Sequence, residues 1–323
     1  MIECLKTTLV GTDLLTQPIT TPEPGCWINV VSPDSNDRDW LLNQVDIAPE
    51  FVRSAFDDEE SSHIDYDDDA NQTLIIVDCP FVEDASEAED PDIVQYDTHP
   101  LSFIFLPEKD MLVTVSLREN AIVSQFASGH GVRRMNTNQR TRLFLQIFLR
   151  ISQRYVIYLR NIDRQFNRIE ASLRRNLRNS ELIKMLGFEK SLVYFSTSLK
   201  ADEATLTKVS SGRAVRLYED DRDLLDDVFI ELRQAIEMSA IYTNILDGTM
   251  DTFASVISNN LNITMRTLTI ITLVLAIPTM VFSFYGMNVS DLPAADTFAF
   301  PIICALIGCG IAAIFFWRSR LFK

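Results

Sequence analysis

The sequence has few cysteines and histidines, and none is spaced as a metal site or a disulfide framework requires. Its 323 residues include five cysteines and three histidines, His63, His99 and His130, and no two cysteines form a CxxC pair. This spacing excludes the common structural zinc sites and a disulfide-rich fold. No glycine-rich phosphate-binding loop and no nucleophile–base pair stands out. We therefore expect a protein that is not an enzyme.

Positive charge is scarce in the first hundred residues, which hold three Lys or Arg against 24 Asp or Glu. The whole chain has a formal net charge of −16. Residues 133–178 show the opposite balance, with twelve arginines against Asp163 and Glu170. An acidic surface repels nucleic acid and attracts cations, so we expect cations, and not nucleic acid, among the partners.

Proline is absent from a stretch of 170 residues, because nine prolines lie between Pro18 and Pro107 and the next is Pro278. A long segment without proline and with few glycines predicts long helices. We expect two helices within residues 134–200. A third helix is predicted to run from about residue 214, without an obvious stop, into the apolar C-terminal part.

The proline-containing part has the pattern of an α/β domain. Runs rich in β-branched and aromatic residues predict strands at residues 26–31, 73–82, 101–106 and 111–116. Residues 107–110 predict a hairpin turn between the last two strands, and residues 37–45 and 49–60 predict short helices. The sequence therefore predicts an α/β domain over residues 1–130, followed by a helical domain with a long stalk helix over residues 131–265.

Charge is also absent from two long apolar runs, residues 267–285 and 298–317, which make residues 266–323 a predicted transmembrane hairpin. Each run is close to the roughly 20 residues that a helix needs to cross a bilayer. The short connection between them carries no Lys or Arg, whereas Arg266 precedes the first run and Arg318 follows the second. The positive-inside rule then predicts a multi-pass protein of the cell membrane with both termini in the cytoplasm.

The predicted stalk helix carries apolar residues at a spacing near 3.5. They are Leu225, Val228, Leu232, Ala235, Leu246, Phe253 and Val256, with Ser239 and Asn260 as interruptions. This pattern is typical of a coiled-coil seam. A helix over residues 214–285 would be roughly 105 Å long. Because so long a rod needs partner rods, we expect a homo-oligomer around a central axis.

The first apolar run has one polar face. Thr272, Ala276, Thr279 and Ser283 follow one another at helical spacing, and the same face continues backward through Met265, Asn262, Ser258 and Asp251. Ile270, Leu273, Ile277 and Phe284 lie on other faces. Small and hydroxylated residues suit tight helix contact or a water-accessible pore. The pore interpretation is favoured, because oligomerisation would bring identical faces together on one axis.

The first run ends in Tyr285-Gly286-Met287-Asn288, which would lie at the outer mouth of such a pore. Copies of Asn288 around an axis would form a ring of amide oxygens. Mg²⁺ dehydrates reluctantly. Neutral oxygens can accept hydrogen bonds from its water shell, whereas carboxylates would hold the ion too tightly for it to leave. Gly286 would allow the helix to end and the backbone to turn.

These residues, together with the segment SNNLNITMRTLTIITLVLAIPT at 258–279, resemble the CorA family of magnesium channels. The resemblance implies an α+β membrane protein that assembles as a homopentamer, with a cytoplasmic α/β domain, a funnel of long helices and a two-helix transmembrane hairpin. It implies passive Mg²⁺ influx through a pore lined by the first span. Gly286, Met287 and Asn288 would form the selectivity filter, and Met265 and Leu268 a hydrophobic gate.

The resemblance also implies that intracellular Mg²⁺ closes the channel by binding between subunits at acidic residues. The matching positions are Asp227 and Asp251, with Asp84 as a further partner. Asp227 and Asp251 are 24 residues apart, roughly 36 Å on a straight helix, so they cannot share one ion within one chain.

The sequence departs from the family pattern in two places. Ala276 and Ile277 stand where many relatives have a bulkier methionine, and the helices within 140–178 are rich in arginine rather than acidic. Two alternatives stay open: the same fold transporting Co²⁺, Ni²⁺ or Zn²⁺, and a membrane-tethered scaffold or sensor that transports nothing. The residues themselves leave the number of subunits open.

Overall fold

The computed structural model of the protein describes residues 1–10, 13–83, 94–129, 135–175, 178–287 and 299–318. Backbone contacts divide the chain into two compact units, Met1–Leu246 and Asp247–Lys323. The first unit contains a β-sheet and most of the helices. The second contains the C-terminal part of one long helix and the last helix of the chain.

A seven-stranded sheet forms the centre of the first unit. Its strands are β1 (Ile2–Val10), β2 (Asp13–Ile19), β3 (Cys26–Val31), β4 (His63–Asp67), β5 (Gln72–Val82), β6 (Tyr96–Leu106) and β7 (Met111–Ser116). The order across the sheet is β2-β1-β3-β7-β6-β5-β4, and among these described strands β3 and β7 are the parallel pair. The four predicted strands are confirmed as β3, β5, β6 and β7. The predicted hairpin turn lies between β6 and β7, where Asp110 has a φ of 55°.

Helices cover both faces of the sheet. They are α1 (Ser35–Trp40), which continues into a π-helical turn at Leu41–Val45, α2 (Pro49–Ala55), α3 (Ala121–Ala127), α4 (Arg140–Leu173) and α5 (Asn179–Ser210). The start of α1 is fixed by Asp34, whose side chain accepts a hydrogen bond from the Asp37 N–H at 2.8 Å. The two short helices predicted between the first strand runs are confirmed, as are the two long helices α4 and α5.

Alternate residues of the central strands β3, β5, β6 and β7 contribute to apolar layers on the two faces of the sheet. Ile28, Ile76 and Ile104 belong to a buried cluster with residues of α2 such as Phe51 and Val52. The intervening residues face α4 and α5, where aromatic rings meet edge to face. Phe103 and Phe144 have ring centroids 4.9 Å apart, and Tyr155 and Phe195 have centroids 5.0 Å apart. The sheet is therefore buried on both faces by contacts within one chain.

Two carboxylates are buried where α5 packs on β5. Asp202 is fully buried, and its Oδ1 accepts a hydrogen bond from the Asp78 N–H at 2.9 Å. Its Oδ2 has no hydrogen-bond partner among the described residues. Burial raises the pKa of both carboxyl groups, and the nearby charge of Asp78 raises the pKa of Asp202 further. Sequence patterns gave no sign of this pair, because the two residues are 124 positions apart.

Some arginines of the basic segment have structural partners. At the start of α4, Arg140 pairs with Asp110 at 2.8 Å and Arg142 pairs with Asp221 at 3.3 Å. These two ion pairs connect α4 to the β6–β7 turn and to a 3₁₀ turn at Glu219–Asp221. Part of the arginine enrichment therefore serves the fold of a single chain.

The long helix α6 spans Arg222–Tyr285, and its start differs from the expected one near residue 214. The preceding helix α5 ends at Ser210, and Gly212 follows in the left-handed region with a φ of 68°. A short 3₁₀ turn at Glu219–Asp221 then leads into α6. The glycine is the physical reason for the late start, because it lets the chain reverse between α5 and α6.

The first part of the predicted coiled-coil seam is occupied by the chain itself. Leu225, Val228, Leu232, Ala235, Ser239 and Leu246 are all buried within the first unit. Ser239 Oγ donates to the Leu192 carbonyl at 3.4 Å, and Arg233 pairs with Glu203 at 3.1 Å. The two helices therefore run antiparallel, and α5 lies beside this part of α6. This part of the seam is therefore covered within one chain, and the expectation that the rod as a whole assembles with partner rods stays a prediction.

Candidate functional site

Two helices of the described chain are long and apolar enough to cross a membrane. They are the C-terminal part of α6 and the helix α7 (Ala299–Arg318), whose most apolar stretches have mean hydropathies of 2.1 and 2.5. The first predicted span ends with α6 at Tyr285, and α7 begins one residue after the start of the second. The connection from Asn288 to residue 298 lies outside the described residues.

The helix α7 packs against one side of α6. Near one end, the rings of Tyr285 and Phe300 lie 6.2 Å apart. Further along, Cys309 Sγ lies 3.6 Å from the Val274 carbonyl oxygen. A Cβ built on Gly308 would lie 2.7 Å from Ile277 Cγ2. The side of α6 that carries Val274 and Ile277 is thus the side that α7 covers.

The polar face of α6 lies away from α7. Thr272 and Val274, like Thr279 and Ile277, are two residues apart and so roughly 200° apart around the helix. The structure leaves the whole predicted face exposed in the single chain, namely Asn262, Met265, Leu268, Thr272, Ala276, Thr279 and Ser283. The second unit therefore has a helix with one side covered by α7, and the polar face is one part of its uncovered surface, which also carries apolar residues such as Leu273 and Leu275.

The threonine hydroxyls on this face donate their protons to backbone carbonyls of α6. Thr272 Oγ1 donates to the Leu268 carbonyl at 2.9 Å, and Thr279 Oγ1 donates to the Leu275 carbonyl at 3.0 Å. A hydroxyl that donates in this way keeps its lone pairs available. Away from the backbone, these two side chains can therefore accept hydrogen bonds.

Gly286 closes the described part of α6 without a left-handed turn, because its φ is outside the positive range. Its N–H donates to the Phe282 carbonyl at 2.9 Å, and an added Cβ would lie 3.2 Å from that same oxygen. Glycine is favoured here by this close approach. Met287 is exposed, and Asn288 lies outside the described residues.

The predicted regulatory acids are not brought together within one chain. Asp227 and Asp251 are both exposed on α6 and form no ion pair with a described residue, while Asp84 falls outside the described ranges. Within those ranges, no three His, Cys, Asp or Glu side chains are grouped so that they could hold a metal ion. Each of the two acids offers a single carboxylate, so a complete metal site would need donors from elsewhere.

An α/β unit joined through one long helix to a pair of membrane-spanning helices, one with a polar face, defines a class of membrane transport protein. The family of CorA-like Mg²⁺ transporter proteins matches residues 23–320, nearly the whole sequence. The chain belongs to this family. Its members transport divalent cations across membranes and are not enzymes, so the expectation that the protein is not an enzyme is confirmed.

Relatives and solved structures agree with this assignment. The cobalt/magnesium transport protein CorA of Methanocaldococcus jannaschii is 26% identical over 275 residues, covering 84% of this chain and 82% of the relative. The complete structure of CorA from the same organism matches with a TM-score of 0.79 at 22% identity, covering 99% of this chain and 98% of that chain.

Two further solved structures share the fold at lower similarity. The full-length CmaX protein matches with a TM-score of 0.66 at 17% identity, covering 100% of this chain and 97% of that chain. The cytoplasmic domain of ZntB from Vibrio parahaemolyticus has a TM-score of 0.59 at 12% identity, covering 80% of this chain and 98% of that chain. At these identities the likeness establishes architecture alone.

Proposed function

We propose that copies of this chain surround a common axis and form a passive Mg²⁺ channel whose ion path is lined by the exposed face of α6. The supporting observation is that α7 covers one side of α6 and leaves the face with Thr272 and Thr279 uncovered. Polar groups are costly next to lipid, so they favour a water-filled path or a neighbouring helix. Five copies is the number that the resemblance implies.

The chemistry of the exposed face suits a hydrated cation. The outer surface of a hydrated Mg²⁺ ion consists of water hydrogens, which need acceptors. Thr272 and Thr279 donate their own protons to the backbone and present lone pairs outward. Such neutral oxygens can guide the hydrated ion without removing its water, which Mg²⁺ gives up reluctantly.

Selection is assigned to the filter of Gly286, Met287 and Asn288 at the outer end of α6. Asn288 would supply a ring of amide oxygens that hold the hydrated ion weakly enough for release. The close approach of Gly286 to the Phe282 carbonyl keeps the helix end compact beside this ring.

The gate is assigned to Met265 and Leu268, which are 54% and 57% exposed on the same face of α6. Apolar rings of this kind stop ions by excluding water from the constriction. Ala276 is small and exposed where many relatives have methionine. Met265 and Leu268 therefore provide the narrow part of the path.

Regulation is assigned to Mg²⁺ bound between subunits at Asp227, Asp251 and Asp84. Each exposed carboxylate of α6 would bind one Mg²⁺ ion, and oxygen ligands from a neighbouring copy would complete its coordination. Occupied sites would hold the copies in the closed arrangement. Loss of Mg²⁺ would release repulsion between these acids and favour opening.

The orientation follows from the basic residues that flank the two spans. Both termini lie in the cytoplasm, residues 1–130 and 131–265 form the cytoplasmic α/β and helical domains, and residues 266–323 form the membrane hairpin. Inward flow needs no nucleotide, because moving a divalent ion through 100 mV, inside negative, releases roughly 4.6 kcal/mol.

Cobalt is a second candidate ion, because the relative from Methanocaldococcus jannaschii is a cobalt/magnesium transport protein. Ni²⁺ and Zn²⁺ are further competitors on the same fold. Competition between each metal and Mg²⁺ in a flux assay separates these cases. A scaffold or sensor without transport predicts no flux with any of them.

The test is Mg²⁺ uptake into liposomes that contain the purified protein. We expect the natural protein to take up Mg²⁺ and Asn288→Ala to slow uptake by about tenfold or more, because the filter loses its amide oxygens. Asn167→Ala, which removes an exposed amide that bonds Asp163 on α4, serves as the control and should match the natural protein. Unchanged uptake in Asn288→Ala would contradict the filter assignment.

A further inference from the structure

Pro278 interrupts the hydrogen bonding of α6 inside its membrane-spanning part. Proline has no N–H, so the carbonyl four residues earlier, that of Val274, loses its usual helical donor. In the hydrocarbon region no bulk water is present to replace that donor. A neighbouring group must satisfy the Val274 carbonyl, or the helix must deform there.

Cys309 on α7 supplies the missing donor. Its Sγ lies 3.6 Å from the Val274 carbonyl oxygen, and a thiol is a weak hydrogen-bond donor whose large sulfur makes such contacts long. Proline in a membrane helix is tolerated where a neighbouring helix satisfies the freed carbonyl in this way. The contact therefore joins α7 to α6 at the carbonyl that Pro278 leaves without its helical partner.

Gly308, next to Cys309, makes this contact sterically feasible. A Cβ at Gly308 would lie 2.7 Å from Ile277 Cγ2, closer than side-chain atoms normally approach. Ile277 is branched at Cβ, so its Cγ2 cannot move aside without a change of rotamer. A methyl group at position 308 would push α7 away from α6 and lengthen the Cys309–Val274 bond.

Gly308 and Cys309 contact the side of α6 that lies opposite its exposed polar face. Thr279 follows Pro278 directly, and Ser283 is one turn further along the same face. A proline that lacks a supporting partner lets the two parts of a helix bend relative to each other. The direction of α6 beyond Pro278 therefore fixes where Thr279 and Ser283 lie.

We propose that Gly308 and Cys309 are positioning residues for ion transport, which hold α6 at Pro278 and so set the geometry of the ion path beyond it. This inference rests on the proposed function, because it takes the exposed face of α6 as the lining of that path. Neither residue contacts the ion. Both act through the Val274 carbonyl and the Ile277 side chain.

The first test compares Mg²⁺ uptake by four variants in liposomes. We expect Cys309→Ala, which removes the donor, and Gly308→Ala, which separates the helices, to lower the maximal uptake rate at least about fivefold by displacing α6. The Mg²⁺ concentration for half-maximal uptake should stay unchanged. Cys309→Ser retains a donor and should restore most of the rate.

Gly310→Ala is the matched control, because a Cβ at Gly310 meets no atom within 4 Å. It should transport like the natural protein. The proposal is overturned if Cys309→Ala keeps the full rate, if Cys309→Ser is as slow as Cys309→Ala, or if Gly310→Ala is as slow as Gly308→Ala. The mild truncation Cys309→Ala keeps the test decisive even if Gly308→Ala fails to fold.

A second measurement detects the hydrogen bond between Cys309 and the Val274 carbonyl without a transport assay. The S–H stretching band of Cys309 is obtained as the infrared difference between the natural protein and Cys309→Ala. We expect it to be shifted to lower frequency than a free thiol, as a hydrogen bond to a carbonyl requires. An unshifted band overturns the proposal. A shifted band in a protein that takes up no divalent cation overturns instead the proposed function on which the transport role rests.

Discussion

At the scale of single residues, the fold contains a buried acidic pair, Asp78 and Asp202, where α5 packs on β5. Asp202 is fully buried against β5, and the Asp78 N–H satisfies only one of its two carboxylate oxygens. A buried carboxylate beside another favours its protonated form. This explains the direction of the pKa shifts of both groups, which are raised.

The raised pKa of Asp202 makes stability depend on pH. The folded chain binds this proton more tightly than the unfolded chain, whose pKa is near the ordinary 3.8. The stability contributed by the proton is complete below that value and is lost as pH rises through the raised pKa. Asp202→Asn removes the ionisable group. Relative to the natural protein, we expect the stability of the variant to rise between pH 5 and pH 8, because only the natural protein loses the contribution of this proton as the pH increases.

The measurement is unfolding of the purified protein at both pH values. Asp39→Asn is the control, because Asp39 is an exposed acid on α1 and its variant should show little pH dependence relative to the natural protein. A difference between Asp202→Asn and the natural protein that is the same at pH 5 and pH 8 would contradict the assignment of a buried, protonated carboxyl.

At the scale of elements, α6 uses different faces in its two parts. In the first unit, Leu232 and its neighbours face α5 and are buried. In the second unit, α7 covers the side of Val274 and Ile277. Apolar periodicity alone does not distinguish a seam covered by the same chain from one covered by a partner, so the sequence did not show that residues 225–246 are buried within one chain.

The new assignment of the seam predicts opposite outcomes for two substitutions on α6. Leu232→Ala should destabilise the chain by about 2–5 kcal/mol, because it leaves a cavity against α5. Ile241→Ala should change stability by less than about 0.5 kcal/mol, because Ile241 is 54% exposed in the chain. Thermal unfolding of both variants, measured in oligomers of the same mass, checks this. Equal destabilisation by Leu232→Ala and Ile241→Ala would contradict the burial of Leu232 within one chain and would indicate that the seam lies between copies.

Local patterns predicted much of the architecture, and contacts between distant residues account for the rest. Strands β5 and β6 are buried apolar runs, so their composition identified them. Strand β4 (His63–Asp67) is a short, polar edge strand, and β1 and β2 form an edge hairpin with exposed leucines, so neither had a clear apolar alternation. The polar face of α6 follows helical spacing and was predictable. The side taken by α7 was not, because it depends on packing at Gly308 and Cys309.

At the scale of the whole molecule, family membership and fold assign the chain to divalent cation transport, and the path itself is the remaining proposal. A single copy leaves the polar face of α6 uncovered, and one helix cannot enclose a water-filled path. The proposed function therefore requires several copies, with equivalent faces turned toward one axis. Lipid on that face would remove the basis of the account.

The most direct test places a cysteine either on the polar face of α6, at Thr272, or beside that face, at the neighbouring Leu273. Both positions are exposed in the single chain, but they point roughly 100° apart around α6. The protein in liposomes, with Cys304→Ser as background and the same protein without an added cysteine as the blank, is treated with a charged, water-soluble thiol reagent. We expect Thr272→Cys to react at least about tenfold faster than Leu273→Cys, because water reaches the ion path and not the lipid-facing side of α6. Equal rates, or faster reaction of Leu273→Cys, would contradict it.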